Sequence, residues 1–363
     1  MAGVSGRFPR ERLVPGWDVD ALAAAAVVVV GVGALGNEVA KNLALAGVGR
    51  LVLCDPDTVE PGNLSRSVLF RPGDAGRPKV AAASDALRAL SAGLRVAARP
   101  YELRHGVGLG ELAEADAVVG CLDTLRARMR LLGRCALVEA PLVDGATGPW
   151  EGEVRLRLST EEPCYGCSLT AHQRGVGDSP WSCRDLGNGP LGAAIGTTAL
   201  VAAWMTQAVL GLLLGRTPSY RLLRIDAPSG RSGPVLLTRD PHCPHHRPLD
   251  APPRRLPFSH EVTIRQFLSA LPPDAEPQSW VDFPVRTRCP SCGDYAEPAP
   301  ERPAETASIV ECPGCGQRCR LRRTVRLRTA PGSAPLAGLG VARGEILPVR
   351  DPGGKFTWYQ LKA

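Results

Sequence analysis

The sequence predicts an α/β protein whose mainly parallel sheet is flanked by helices and followed by a small module built around paired cysteines. Two observations predict the sheet: an apolar run at 23–30 enters a glycine-rich turn, and apolar segments then alternate with helical ones. A third predicts the module, because two Cys-x-x-Cys pairs lie close together near the C-terminus. The strand, glycine turn and helix at the start make the sheet Rossmann-like.

The predicted elements follow one another along the chain. An Ala- and Val-rich strand at 23–30 leads through the glycine turn into a helix that ends near residue 48. Further strands and helices are predicted at 50–54, 78–90, 94–98 and 116–121. This alternation predicts a parallel sheet that binds ligands at the C-terminal ends of its strands.

The pattern changes after residue 154. A cysteine-bearing loop, an uncharged helix and a strand pair near 220–225 and 235–238 complete a first domain, residues 1–250. We expect a Pro-rich linker and connecting segment at 251–284. Residues 285–363 are then expected to form a zinc-ribbon-like module and tail.

Composition favours a reducing compartment. The chain has 363 residues and 12 cysteines, and its N-terminal residues form no apolar signal core, so close cysteine pairs indicate metal ligands or reactive thiols before disulfides. The uncharged stretch 191–215 is long enough to span a bilayer, but its threonines, glutamine and glycines favour a buried helix over the sheet. We therefore expect a cytoplasmic protein with no membrane span.

The glycine turn indicates a phosphate-binding site. Gly31, Gly33 and Gly36 allow a tight turn, close approach of a polyphosphate, and a helix whose first amides face the anion. Asp55, at the end of the next strand, suits the hydroxyls of a ribose. These residues alone do not separate an ATP site from the NAD site of an oxidoreductase.

The residues that follow favour nucleotidyl transfer. Lys79 carries extra weight because the chain uses lysine only four times among 43 basic residues, and a hydride-transfer site needs no cationic cluster here. Asp123, at the end of the fourth predicted strand, can hold Mg²⁺ against phosphate oxygens, or alternatively cap the next helix. Arg128 is predicted to lie on that helix, where it can anchor the helix through a surface ion pair.

Together these motifs resemble the ThiF/MoeB/HesA family, the bacterial relatives of ubiquitin-activating enzymes. The resemblance covers about residues 5 to 250 and includes the Arg7-Phe-Pro-Arg10 opening and the cysteines around Cys164 and Cys183. The chain departs from the family pattern at Pro9 and Thr124, where asparagine is usual, which leaves the local geometry there open.

The resemblance implies an enzyme that joins AMP from ATP to the C-terminal glycine carboxylate of a ubiquitin-like or sulfur-carrier protein. It implies that Asp55 binds the ribose, that Asn63, Arg66 and Lys79 contact phosphates or position the nucleotide, and that Asp123 holds Mg²⁺. It further implies a homodimer in which Arg10 reaches the ATP of the other subunit.

Cysteine spacing predicts two structural zinc sites. The first combines two pairs of ligands that lie far apart in the chain, and the second has zinc-ribbon spacing. The predicted ligands are Cys164, Cys167, Cys243 and His246 for the first site, and Cys289, Cys292, Cys312 and Cys315 for the second. His245 is an alternative to His246, and Cys319 is a less favoured alternative to Cys315.

The remaining cysteines divide into two classes. Cys54, Cys121 and Cys135 lie on or beside predicted strands, where a small core residue is the better interpretation. Cys183 lies in a polar loop beside Arg184, which favours a thiolate. The resemblance implies that a cysteine near this place receives the activated acyl group or forms an adduct with the carrier. Adenylation itself does not require this thiol.

The C-terminal module carries six arginines and no acid at 318–328. A solvated strand face is the simplest interpretation, with an acidic protein partner next and nucleic acid less favoured. Three functions therefore remain at this point: the adenylyltransferase, an NAD-dependent oxidoreductase, and a zinc-ribbon protein that binds nucleic acid. Downstream partners of the first would be a conjugating enzyme or a sulfurtransferase.

Overall fold

The computed structural model describes residues 8–175, 194–298 and 309–363. The chain divides into two compact units. The first unit comprises Met1–Leu103 and Leu112–Pro248, and the second comprises Arg104–Glu111 and Leu249–Ala363. A short segment inside the first unit's sequence therefore belongs structurally to the second.

The first stretch of chain, up to residue 248, alternates strands and helices. Its elements are α1 (Val19–Ala24), β1 (Ala26–Val30), α2 (Ala34–Ala46), β2 (Arg50–Cys54), α3 (Lys79–Leu90), β3 (Arg95–Arg99), α4 (Leu103–Gly106), α5 (Leu109–Ala113), β4 (Ala117–Gly120), α6 (Leu125–Leu137), β5 (Leu142–Thr147), β6 (Glu151–Arg157), α7 (Ala171–Gly175), α8 (Ile195–Leu213), β7 (Leu222–Asp226) and β8 (Arg231–Val235). Short 3-10 helices lie between them, at Glu11–Leu13, Pro61–Asn63, Pro72–Asp74, Tyr165–Ser168 and Pro244–His246.

The strands β1 to β8 form one sheet in the order β3-β2-β1-β4-β5-β6-β7-β8. The first five strands in that order pair in parallel, and the pairs from β5 to β8 are antiparallel. Val27 and Val29 of β1 are fully buried, as expected for a central strand covered on both faces. The strand order reverses between β1 and β4, where such sheets bind ligands. The predicted Rossmann-like fold class is confirmed.

The far edge of this sheet differs from the sequence prediction. The strand expected at 235–238 lies at Arg231–Val235, and its partner β7 begins two residues later than expected. The β8 segment contains Gly233 and Pro234, which hide its strand character from pattern reading. An edge strand tolerates proline because one side of its backbone needs no ladder hydrogen bond.

The uncharged helix α8 packs against α2 and strands β5 and β6. Among the described residues, α8 is the one helix whose length and composition would allow it to cross a membrane. Half of its most apolar stretch is buried inside the protein. Its buried polar groups have partners, since the Thr197 hydroxyl donates to Pro149 O at 3.0 Å and the Thr206 hydroxyl to Ala202 O at 2.7 Å.

The second unit contains, after the segment Arg104–Glu111, a set of short strands and helices. They are β9 (Arg254–Arg255), α9 (Ile264–Ser269), β10 (Glu276–Val285), β11 (Thr287–Arg288), β12 (Tyr295–Ala296), β13 (Ile309–Glu311), β14 (Arg318–Arg320), β15 (Arg322–Arg326), β16 (Ile346–Arg350) and β17 (Phe356–Gln360), with 3-10 helices Leu327–Thr329 and Ala337–Leu339. These strands form a five-stranded sheet in the order β15-β10-β16-β17-β9 and two hairpins, β11-β12 and β13-β14.

The stretch 251–284, expected to be a linker, holds α9 and most of β10. Phe267 of α9 and Phe283 of β10 are fully buried in the core of the second unit. The prolines of this stretch lie before α9, between α9 and β10, and within β10 itself at 277 and 284, so the sequence pattern indicated turns where α9 and β10 form. The cysteine hairpins are an insertion between β10 and β15.

Candidate active site and metal centres

A cavity of about 280 Å³ opens where β1, β2 and β4 end. Its wall includes the following residues: Gly31, Gly33, Cys54, Asp55, Asp57, Lys79, Tyr101, Glu102, Leu103, Cys121, Leu122 and Asp123. Five of the residues predicted to bind phosphate, ribose or magnesium, namely Gly31, Gly33, Asp55, Lys79 and Asp123, therefore converge on one space. This space lies at the reversal of the strand order, where a parallel sheet binds its ligand.

The three glycines of the turn serve different purposes. Gly31 has φ +89°, and a Cβ there would lie 2.3 Å from the Cys121 carbonyl oxygen. A Cβ on Gly36 would lie 2.0 Å from the Gly31 carbonyl oxygen, so both positions require glycine for the backbone path. A Cβ on Gly33 would meet nothing within 4 Å, although Gly33 lines the cavity. The space beside Gly33 leaves room for a ligand against the first turn of α2.

Asp55 is held rigidly beside this turn. Its carboxylate accepts hydrogen bonds from Val32 N at 2.6 Å and Asp57 N at 2.9 Å, and the residue is 6% exposed. Burial raises the pKa of Asp55 above its ordinary value, and the two backbone hydrogen bonds oppose this shift. The carboxylate thus faces the cavity in a fixed orientation.

Lys79 is the first residue of α3, and its ammonium group donates to Asp57 Oδ2 at 2.7 Å. The Lys79 side chain is only 12% exposed, whereas that of Asp57 is 64% exposed. A lysine at the wall of this cavity supplies a compact positive charge for an anionic ligand.

Asp123 is exposed at the cavity, and the helix after it is capped by a different residue. The Thr124 hydroxyl oxygen accepts from Ala127 N at 3.2 Å, so Thr124 is the N-cap of α6 and Asp123 stays available to a ligand. Arg128 donates to the carbonyl oxygen of Leu122, the residue before Asp123.

Arg128 forms a buried ion pair and not the surface pair that the sequence suggested. Its guanidinium lies 2.6 Å from Asp144 Oδ2 on β5 and also donates to Gly145 O at 2.6 Å. Gly120 makes room for that carboxylate, since a Cβ there would lie 2.5 Å from Asp144 Oδ1. Asp144 is a charged residue in the apolar strand β5, and this was the sequence signal for a buried ion pair that the sequence analysis missed.

Other predicted residues lie outside the cavity wall. Asn63 Oδ1 accepts from Glu60 N at 3.0 Å, and Arg66 Nη1 donates to Gly62 O at 2.8 Å, so both stabilise the loop before α3. Arg10 is exposed and occupies the N-cap position of the 3-10 helix Glu11–Leu13 without a side-chain capping hydrogen bond. Cys183, the predicted reactive thiol, lies outside the described residues.

Asn37 is a site residue that sequence reading missed. It is fully buried, donates from Nδ2 to Val32 O at 2.8 Å and to Gly33 O at 3.0 Å, and accepts from Leu69 N at 2.9 Å. It therefore ties the glycine turn to the loop before α3. A lone amide directly after the glycine motif was its only sequence signal.

Two four-residue clusters have the geometry of metal centres. In the first, donor atoms of Cys164, Cys167, Cys243 and His246 all lie within 4.8 Å of one another, as do those of Cys289, Cys292, Cys312 and Cys315 in the second. His246 Nδ1 lies 2.8 Å from Thr160 O, and its Nε2 lies 3.0 Å from Cys167 Sγ. A hydrogen bond from the second ring nitrogen is typical of a metal-ligating histidine. His245 and Cys319 are outside these sets.

The remaining described cysteines are buried or nearly so. Cys54 Sγ donates to Tyr101 O at 3.2 Å, and burial raises the pKa of Cys121 and raises that of Cys135 to about 12. Thiols of this kind stay protonated and are poor nucleophiles.

A model of the ThiF family matches residues 11–245. The chain is 35% identical over 243 residues to "Adenylyltransferase and sulfurtransferase MOCS3" of Bos taurus, an alignment that covers 65% of this chain and 52% of that protein. It is 32% identical over 242 residues to "Molybdopterin-synthase adenylyltransferase" of Escherichia coli K12, covering 65% of this chain and 94% of that protein. The chain thus spans about half the length of the mammalian relatives.

Among solved structures, the E. coli MccB crystal structure is similar in fold. The TM-score is 0.55 at 21% identity, with 68% of this chain and 74% of that chain covered.

Proposed function

Because the chain belongs to the ThiF family, we propose that it is an ATP-dependent adenylyltransferase that activates the C-terminal glycine carboxylate of a ubiquitin-like or sulfur-carrier protein. The observation that carries this proposal is the cavity where Gly33, Asp55, Lys79 and Asp123 meet. The relatives are named adenylyltransferases, which favours this function over an NAD-dependent oxidoreductase or a zinc-ribbon protein that binds nucleic acid.

The cavity residues suit the parts of ATP. Asp55, fixed by two backbone amides, accepts hydrogen bonds from ribose hydroxyls. The first amides of α2 and the ammonium group of Lys79 bind phosphate oxygens, for which Lys79 leaves Asp57. Asp123 is the carboxylate that would hold Mg²⁺, which when bound supplies positive charge to the phosphates.

The reaction needs no general base. The carboxylate of the carrier is already ionised, attacks the α-phosphorus of ATP and forms a new C–O–P linkage, while pyrophosphate leaves with the electron pair of the broken P–O bond. Two anions approach each other in this step, so positive charge at Lys79 and at the helix N-terminus lowers the barrier.

We propose a homodimer in which Arg10 acts at the other subunit's nucleotide. An exposed apolar surface favours self-association: Trp150 is 65% exposed, Ile195 59%, Leu200 45% and Trp204 36%. Trp150 and Leu200 line one shallow apolar groove, and exposed apolar surface commonly marks an interface. Mixing an Arg10→Ala subunit with a Lys79→Ala subunit should restore activity in the heterodimer, because one of its two sites is intact.

Further assignments belong to the same proposal. Both cysteine clusters are assigned to structural Zn²⁺, because three or four thiolates at these distances suit its tetrahedral coordination. Asn63 and Arg66 position the nucleotide through their loop, and Cys183 accepts the activated acyl group. A conjugating enzyme or a sulfurtransferase would follow, in the cytoplasm.

Exchange of labelled pyrophosphate into ATP tests this function. Exchange should require a carrier protein that ends in Gly-Gly, and should vanish when the carrier lacks its last glycine. Lys79→Ala should abolish exchange, whereas Lys41→Ala should not, since Lys41 pairs with Glu38 on α2 and does not line the cavity. NADH binding without exchange would instead favour the oxidoreductase.

A further inference from the structure

A buried arginine joins the loop before α6 to strand β5. Nη2 of Arg128 donates to the carbonyl oxygen of Leu122, the residue before Asp123. Nη1 donates to Asp144 Oδ2 and to Gly145 O, both at 2.6 Å. All of these residues belong to the first unit. One planar guanidinium group thus connects the part of the cavity wall that carries Asp123 to the sheet.

Asp144 is a costly residue at its position unless positive charge lies beside it. It is 5% exposed, it follows the apolar pair Leu142 and Val143 in β5, and its Oδ1 accepts no hydrogen bond from the described residues. It pairs with Gly120 of β4, where a Cβ would lie 2.5 Å from that oxygen. A buried carboxylate of this kind depends on a compensating charge.

A second arginine approaches the same carboxylate from β6. Arg155 is the ladder partner of Asp144, and its Nη1 lies 3.5 Å from Asp144 Oδ2. Two further contacts hold Arg155. Its guanidinium lies over the Tyr165 ring, 3.8 Å from the centroid, and its Nε donates to Glu153 Oε2 at 3.0 Å. Asp144 therefore lies between two guanidinium groups, one of which has other partners to hold it.

The charge of Asp144 is what keeps Arg128 in this place. Without that charge Arg155 would keep its other two partners, whereas Arg128, which is 6% exposed, would face a like charge with its counter-ion removed. The guanidinium of Arg128 would then move away from Arg155. Its contact with the carbonyl oxygen of Leu122 would change with it.

Asp123 depends on its neighbours for its position. Within the described residues its carboxylate has no hydrogen bond and no ion pair, and it is exposed at the cavity. The residues on either side are anchored, Leu122 through its carbonyl oxygen to Arg128, and Thr124 as the N-cap of α6. Partners that orient a metal ligand in this way matter, since altering them typically costs about 10- to 100-fold in metal affinity.

We propose that Asp144 is a positioning residue for the nucleotide site, which fixes Arg128 and thereby holds the backbone at Leu122 so that Asp123 meets the Mg²⁺ of bound ATP. The inference rests on the proposed function, because that function assigns Mg²⁺ to Asp123. It implies a specific defect when Asp144 is altered: the protein loses the part of its nucleotide affinity that Mg²⁺ contributes, and keeps the rest.

Asp144→Asn tests this role through the Kd of a non-hydrolysable ATP analogue, measured by calorimetry with Mg²⁺ and again with EDTA. With Mg²⁺ the Kd should rise about tenfold or more. With EDTA it should stay within twofold of wild type, because Asp123 acts on the nucleotide only through Mg²⁺. In an Asp123→Asn background, Asp144→Asn should have no further effect. Glu153→Gln is the matched control, the same change at the carboxylate that pairs with Arg155, and should leave both Kd values within twofold of wild type.

Arg128→Lys gives a second variant if Asp144→Asn fails to fold. It keeps a positive charge for Asp144 but lacks the fork that reaches Leu122 O as well, so it should show the same Mg²⁺-dependent loss. A folded variant whose Kd with Mg²⁺ stays within twofold of wild type, or rises equally with EDTA, would overturn the inference alone. A wild-type protein that binds no analogue would overturn the proposed function, and one that binds it equally well without Mg²⁺ would overturn the magnesium assignment; the inference fails with either.

Discussion

The two cysteine clusters have nearly the same ligands but perform different tasks in the fold. The first joins Cys164 to Cys243, which are 79 residues apart, and the second joins Cys289 to Cys315, which are 26 apart. By loop-closure entropy, this difference in span favours the first cluster by only about 1 kcal/mol. The span alone therefore does not distinguish them.

Their surroundings differ much more. The first cluster lies in a unit whose apolar core includes β1, α2 and α8, and that core contains none of the cluster's ligands. The second cluster is itself the core: the buried residues around it are Cys289, Ala296, Cys312, Cys319 and Leu321. A metal at the first cluster would stabilise a unit that already has an apolar core. A metal at the second cluster would take the place of an apolar core in the cysteine hairpins.

The largest effect is expected from Cys312→Ser, a buried ligand of the second cluster. The amides of β13 and β14 should lose protection from hydrogen exchange by at least about 100-fold, because the buried residues described around this hairpin are those of the cysteine cluster. The amides of β16 and β17 should keep theirs. Bound metal should fall from two ions to one.

Cys319→Ala is the control for that change, because Cys319 is buried beside the cluster without being a ligand. It should keep both metal ions. If β13 and β14 stay protected in the Cys312→Ser protein after its metal is lost, the hairpins are stabilised by packing that does not depend on the metal cluster.

A smaller effect is expected from Cys164→Ser in the first cluster. The first unit should remain folded but lose about 3 to 5 kcal/mol in its free energy of unfolding, since a buried ligand and a long-range tie are removed together. Cys135→Ala, at a buried position without a ligand role, should cost about 1 kcal/mol and retain both metals. Denaturant unfolding and metal analysis measure both; complete unfolding of Cys164→Ser would show that the metal is essential to this unit too.

The smallest effect is expected from Asp240→Asn. Asp240 pairs with Arg174, and this ion pair joins the same two chain segments as the first cluster. The pair is partly buried, with the Arg174 side chain 9% and the Asp240 side chain 24% exposed. Asparagine keeps an oxygen that can accept from Arg174 or from His242 N, so Tm should fall by only a few degrees. A large decrease in Tm with full metal content would mean that the ion pair, and not the cluster, holds these segments together.

Several features of the site could be predicted from local sequence. Gly31 requires a positive φ and Gly36 a close backbone approach, and both needs appear as glycines at fixed spacing. The metal ligands come in pairs three residues apart that turn around one centre, and Gly293 and Gly316 with φ of +79° and +70° follow two such pairs. These features can be predicted from the sequence because each depends on residues that are close together in the chain.

Other features could not be predicted because their partners are distant in sequence. The ion pair of Arg128 with Asp144 spans 16 residues, and the hydrogen bond from Leu69 to Asn37 spans 32. The strand β10 was hidden among prolines, and its burial depends on α9 and β16 packing beside it.

By itself the sequence determined the parallel α/β architecture, the glycine turn and the composition of both cysteine clusters, because backbone conformation and ligand spacing are local properties. Tertiary structure decided that Thr124 caps α6 and leaves Asp123 at the cavity, and that Arg128 is buried against Asp144. It also decided that Arg104–Glu111 leaves the first unit for the second, where Glu345 meets Leu109 across 236 residues. Only packing of the whole chain brings such residues together.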